Sequence, residues 1–214
     1  MSVWLRRLAD LSKDWNYLIQ RNGLGSTLPM VGQEIISLPY RQLKFFVVAR
    51  SLLQPLPHLS AKIALEIRDF KARDLEFVVQ IYRPSEAKLL AQRLARGHRG
   101  LMALHQGQPA GFAWGCAEID PELDRVELKL EPGDMLCVDV YTNPAFRGQG
   151  VHTALTIARF GLFRDLGYRR AIAYIETRNQ PSLAVWRKFG SEIIGEVDFK
   201  RLGPWRWGSY RSTT

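Results

Sequence analysis

Two glycines and an arginine in Asn143-Pro-Ala-Phe-Arg-Gly-Gln-Gly-Val-His-Thr153 carry the clearest chemical signal in the chain. Glycine lets a backbone approach a ligand closely. The stretch joins an apolar run, Asp134 to Tyr141, to a helix-like run, Val151 to Leu166. The glycines therefore fall where a strand turns into a helix. The first N–H groups of a helix have no partner of their own, so such a start, with Arg147 beside it, suits phosphate.

The elements that must position this loop follow from periodicity. Glu34 to Leu53 contains Leu43-Lys-Phe-Phe-Val-Val-Ala-Arg50, β-branched and aromatic enough to predict a strand. Prolines in Gln54-Pro-Leu-Pro-His58 make a stiff linker. A boundary near residue 60 separates a first segment, 1–60, from a main domain, 61–214. In the main domain Ile63 to Phe70 predicts a strand, and Asp74 to Tyr82 and Ser85 to Arg96 predict two helices. Gly100 to Gln106 and Ala110 to Ile119 form a hairpin around Gln106-Gly-Gln-Pro109. The polar connection Asp120 to Asp134 carries Val126, Leu128 and Leu130, which could extend it.

Met135 to Thr142 is the strand that enters the loop. The helix beyond it is expected to bury Val151, Leu155, Ala158, Leu162 and Leu166, with Arg159 and Arg164 facing elsewhere, and to end at Gly167. Arg170 to Thr177 predicts a strand, Pro181 to Phe189 a helix, and Ser191 to Lys200 and Trp205 to Arg211 a closing pair of strands. The order predicts an α/β fold: a mixed, mostly antiparallel central sheet of about seven strands with flanking helices. Met135 to Thr177 supplies its parallel pair and crossover helix.

Composition bounds the partners. The 214 residues suffice for one well-buried domain and an accessory segment, and 46% hydrophobic with 24% charged content is ordinary for a globular protein. A net charge of +9 implies an anionic partner: nucleic acid, a membrane surface or a phosphorylated cofactor. Cys116 and Cys137 stand in apolar runs without CxxC spacing or a nearby histidine, so they read as buried thiols and no metal site is expected. Ser2 to Leu18 has tryptophan and leucine at helical steps with basic residues mostly off the stripe. Packing on its own domain is the favoured reading, and an acidic membrane surface touched by residues 1–20 is the other. Neither a secretory signal nor a run of roughly 18 apolar residues is visible, which makes the cytoplasm the expected location.

Loop, asparagine and element order together resemble the GCN5-related N-acetyltransferase superfamily. Its loop has the form Arg/Gln-x-x-Gly-x-Gly/Ala, and here reads Arg147-Gly-Gln-Gly-Val-His152 with Pro144 and Phe146 upstream. Its later asparagine segment reads Asn179-Gln-Pro-Ser-Leu-Ala-Val-Trp-Arg-Lys-Phe-Gly190. The resemblance covers roughly residues 62 to 211. It implies a GNAT-like fold and transfer of an acetyl group from acetyl-coenzyme A to an amine. It further implies that the pantetheine arm lies between two splayed strands, bonded near Val140, Tyr141 and Thr142. The backbone of Arg147, Gly148, Gln149, Gly150, Val151, His152 and Thr153 would hold the pyrophosphate, and Asn179 would contact the pantetheine region.

Two residues leave the family pattern. His152 replaces the second small residue of the loop. Trp186 stands where many members have a tyrosine thought to protonate the leaving thiolate, and indole cannot act as an acid near neutral pH. Tyr174, Tyr141 and Tyr210 are the alternatives, or the thiolate leaves without an acid. An amine nucleophile also needs a base, commonly a carboxylate acting through water. The candidates rank Asp139, Glu118, Glu176, with Asp139 expected opposite Val138 and Val140, and with Tyr174 and Glu176 on one face. Direct attack in a ternary complex is expected, because neither cysteine lies in a nucleophile motif.

Three rivals remain beside this reading. A dinucleotide fingerprint is disfavoured because Thr142 to Arg147 separates strand from glycines. Arg164, Arg169, Arg170, Arg178, Arg187 and Lys188 with nearby Trp205, Trp207 and Tyr210 would suit a nucleic-acid module, but arginines are also what an acetyl-coenzyme A site needs. A coenzyme A-binding sensor or scaffold without turnover is the third. The acceptor could be an amino sugar, a small polyamine-like or amino-acid amine or a protein amine, and residues 1–60 could add a strand to the sheet, form a homodimer contact or touch a membrane.

Overall fold

Strands rich in valine, isoleucine, phenylalanine and alanine pair into one eight-stranded sheet of order β2-β3-β4-β5-β6-β1-β7-β8. The computed structural model describes residues 15, 18, 19, 25, 27, 28, 40–82, 84–118, 130–202 and 205–213. The strands are β1 Tyr40–Ser51, β2 Glu66–Asp69, β3 Arg99–His105, β4 Gln108–Cys116, β5 Asp134–Thr142, β6 Arg170–Glu176, β7 Glu192–Leu202 and β8 Trp205–Ser212. The helices are α1 Leu75–Ile81, α2 Pro84–Ala95, α3 Val151–Asp165 and α4 Gln180–Lys188, with short 3-10 turns at Ala72–Asp74 and Pro144–Phe146. Every strand pair is antiparallel except β5 with β6. This is the expected α/β class. The helix expected from Asp74 is shortened by the 3-10 turn, and the one expected at Ser2 to Leu18 lies almost wholly outside the described residues, as does Val126 to Leu128.

The eighth strand is β1. It is not at an edge: β6 pairs with it from Phe45 to Ser51 and β7 from Tyr40 to Ala49. Its sequence shows why it tolerates that position. Phe46 and Val48 pack into the core on one face, while Phe45, Val47 and Ala49 pack on the other. A strand covered on both faces reads as a continuous apolar run rather than as an alternation.

Helices α3 and α4 cover one face. There Phe160 and Phe163 of α3 and Leu183 and Trp186 of α4 pack on Cys137, Ala171, Ala173 and Ile175. The opposite face carries α1 and α2 over Phe70, Met102, Phe112 and Trp114. The parallel pair is stapled at its start, where Arg170 donates to both carboxylate oxygens of the buried Asp134 at 2.7 and 2.8 Å. Such a bidentate pair fixes register as well as adding energy.

Helix α3 is rotated from the expected stripe. Its buried residues are Val151, Leu155, Thr156, Arg159, Phe160 and Phe163, whereas Leu166 is exposed. The large aromatic rings at 160 and 163 decide the rotation, since burying them removes more apolar area from water than burying Ala158 and Leu166 would. Arg159, expected to face away, is carried into the interior.

Candidate functional site

Beyond Leu136 and Ile172 the parallel strands β5 and β6 part. A β-bulge in β5 helps drive them apart. Opposite β4 the register passes from Trp114 with Val138 to Phe112 with Tyr141, so Asp139 and Val140 stand against Ala113 alone. An extra residue kinks the strand and takes it out of the ladder. Asp139 sits at φ 39°, which only glycine and a few short polar residues adopt readily.

The bulge also corrects the expected facing of the carboxylate. Val138 and Val140 were expected on one face with Asp139 opposite. Instead Val138 packs toward the α1–α2 side and Val140 packs under α3, against the cluster of Val151 and Leu155. Asp139 turns to the α1–α2 side, where Arg93 of α2 donates to its carboxylate.

The parted strands, the loop and the ends of α3 and α4 enclose a cavity of about 700 Å³. Of the residues expected to hold the cofactor, Val140, Tyr141, Thr142, Arg147, Gly148, Gly150, Val151, His152 and Asn179 line it. Gln149 and Thr153 do not, although the Gln149 carbonyl accepts from the Lys62 N–H at 2.8 Å and so pins the loop. Asp139 and Tyr174 also line the cavity; Glu118 and Glu176 do not. Tyr174 and Glu176 share a face through strand alternation, and Tyr174 meets Phe45 edge-on at 6.5 Å.

The loop is built for close approach. Gly148 and Gly150 have φ of 74° and 83°. A Cβ on Gly150 would lie 3.0 Å from Ala61 Cα. Asn143 starts the turn: its side-chain oxygen accepts from the Ala145 N–H at 3.2 Å, and its amide donates to Pro109 O at 2.9 Å. The first bond into α3 runs from Ala154 N–H to Gly150 O at 3.0 Å. The N–H groups of Val151, His152 and Thr153 thus face outward from the helix start without an intrahelical acceptor.

His152 is neutral at pH 7, since burial and then the Arg159 charge lower its pKa to about 4. It contributes no positive charge to the loop. Asn179 caps α4, accepting from the Ser182 N–H at 3.2 Å, which leaves its side-chain N–H₂ for the cavity it lines. Trp186 is 2% exposed and lies edge-on to Phe160 at 5.4 Å. Tyr141 donates its hydroxyl to Ile81 O and stacks on Phe112, and Tyr210 donates to Ile194 O at 3.1 Å.

Two residues of the site escaped the sequence reading. Arg93 was one charged residue on an amphipathic helix, and nothing local ties it to Asp139. Arg159 did carry a signal: Val151, Leu155, Arg159 and Phe163 recur at steps of four, which places the arginine within a buried stripe.

A family model for the acetyltransferase (GNAT) family matches residues 64–191. Over 89 residues, 42% of this chain, the sequence is 32% identical to a mycothiol acetyltransferase from Saccharomonospora viridis, and the match spans 28% of that relative. The fold is similar to that of a GCN5-related N-acetyltransferase from Sphaerobacter thermophilus, with a TM-score of 0.56 at 19% identity over 86% of this chain and 58% of that one. It is similar also to a Drosophila protein, with a TM-score of 0.56 at 16% identity over 85% of this chain and 58% of that one. The chain therefore spans little more than half of each of these structures and a smaller part of the curated relative. The family match takes in the bulged β5, the glycine loop and α4, and on it the chain belongs to the acetyltransferase (GNAT) family.

Proposed function

We propose that the protein is an N-acetyltransferase that binds acetyl-coenzyme A between β5 and β6 and transfers the acetyl group to a primary amine. The observation that carries this reading is the parting of two parallel strands over a cavity headed by the Gly148 and Gly150 loop at the start of α3. The pyrophosphate would lie on the outward N–H groups of Val151 to Thr153 and beside Arg147. The extended amides of pantetheine would pair with the backbone that β5 exposes from Val140 to Thr142, as an added strand would. The Asn179 amide would donate to the same arm.

The amine nitrogen attacks the thioester carbonyl, a C–N bond forms, the C–S bond breaks and coenzyme A leaves as thiolate. Asp139, at the cavity wall, is the favoured acceptor for the amine's proton through water. Tyr174, which lines the cavity on β6, is the favoured hydroxyl near the leaving sulfur. The acceptor is a small-molecule, amino-sugar or protein amine. A cytoplasmic location, a membrane contact through residues 1–20 and a homodimer contact belong to this proposal as well.

A second reading is favoured by Trp186 alone: the cavity holds coenzyme A without turnover, because the family's tyrosine position carries no acid. Two measurements together separate the readings. Calorimetry with acetyl-coenzyme A measures binding, and release of free thiol in the presence of an amine panel measures turnover. Binding with amine-dependent thiol release supports the enzyme, binding without it supports the sensor, and absence of binding removes both.

A further inference from the structure

Arg159 is 1% exposed, near the middle of α3, and lines the cavity. One terminal nitrogen donates to the carbonyls of Trp114 at 2.9 Å and Val138 at 3.2 Å. Its Nε makes no hydrogen bond, and no carboxylate pairs with it among the described residues. A guanidinium keeps its charge at any working pH. Two neutral carbonyls satisfy some of its protons but do not neutralise it, and a buried charge without a counter-charge is costly. Among the described lining residues the single carboxylate is Asp139, which Arg93 holds from the far side of the sheet. The field of the cation is felt nearby, where it helps to lower the His152 pKa.

Position says what anion would meet it. The last paired residues of β5 and β6 are Leu136 and Ile172, and Val138 stands two residues beyond. Arg159 therefore sits at the closed end of the gap. Along α3 it lies ~12 Å from Val151 at ~1.5 Å per residue, well away from the phosphate loop. A coenzyme A arm that enters at the loop and runs down the gap brings its acyl end to Arg159.

We propose that Arg159 is a specificity-determining residue of the donor site, which binds coenzyme A thioesters whose acyl group ends in a carboxylate, such as malonyl or succinyl, more tightly than the acetyl thioester. The inference rests on the cavity being the coenzyme A site. The acetyl thioester fits the same gap and leaves the guanidinium unneutralised, whereas a terminal carboxylate can engage its fork in charge-assisted hydrogen bonds.

Calorimetry of the unaltered protein with acetyl-, butyryl-, malonyl- and succinyl-coenzyme A tests this. Butyryl is the neutral control for length. One of the acidic thioesters is expected to bind at least about tenfold more tightly than acetyl and butyryl. Arg159→Met is expected to bring that ratio near one, and Arg159→Lys to keep part of it. Equal affinity for acidic and neutral thioesters in the unaltered protein overturns the inference while leaving coenzyme A binding intact. Failure of every thioester to bind overturns the site itself. A loss of turnover in Arg159→Met that is uniform across thioesters, with unchanged affinity ratios, assigns the guanidinium to the leaving thiolate and also overturns it. If neither variant folds, the comparison in the unaltered protein decides alone.

Discussion

Arg93 of α2 donates to the carboxylate of Asp139, the bulged residue of β5, across 46 positions of sequence. The pair ties a helix on one side of the sheet to the strand whose kink opens the cavity. Asp139 thus has two parts, standing in the bulge and lining the cavity wall.

Asparagine tolerates positive φ, so Asp139→Asn removes the carboxylate with little backbone strain. Its kcat is expected to fall about 10²- to 10⁴-fold if the carboxylate is the base, with a lowered melting temperature, because the charge that pairs with the buried Arg93 is removed. Asp139→Ala adds strain and should melt earlier. Equal turnover in Asp139→Asn and parent in the thiol-release assay would remove Asp139 from the mechanism.

The two loop glycines should respond differently to alanine. At Gly148 nothing lies within 4 Å of an added Cβ, and the cost is the left-handed backbone alone, about 1–2 kcal/mol. At Gly150 the methyl also meets Ala61 Cα at 3.0 Å. Gly150→Ala is expected to lose more stability and more coenzyme A affinity than Gly148→Ala, read by thermal melting and calorimetry.

His152 makes a signed prediction for acid stability. Its folded pKa of about 4 lies below the ordinary 6.5, so between these values the unfolded chain binds more protons. The stabilising difference is present above pH 6.5 and is lost as pH falls toward 4, up to about 3 kcal/mol. His152→Gln should flatten this part of the unfolding free energy against pH. Coenzyme A should raise the His152 pKa, since a pyrophosphate beside it favours the imidazolium, and NMR titration of the ring reads that shift.

Both cysteines are buried, and burial pushes the Cys137 thiol up despite the opposing Arg159 charge. A thiol, unlike a thiolate, is a poor nucleophile. Acid-quenched mass spectrometry after mixing with acetyl-coenzyme A is therefore expected to show unacetylated protein. A stable acetyl adduct on Cys137 would replace direct attack with a two-step route.

The chain by itself determined what neighbours in sequence decide. Positive-φ turns ask for glycine, so Gly148 and Gly150 announced the loop, and apolar periods of two and near four gave most strands and helices their type and order. Tertiary structure decided what depends on distant partners. The β5 bulge leaves no mark in its apolar run, because the extra residue exists only relative to the register of β4. The place of β1 between β6 and β7 depends on two pairings that join it to residues more than a hundred positions away. Arg159 points inward because Phe160 and Phe163 must be buried against a sheet that the helix alone does not specify. The glycine loop was legible because its geometry is local; the cavity beneath it was not, because it is the space left where two strands stop pairing.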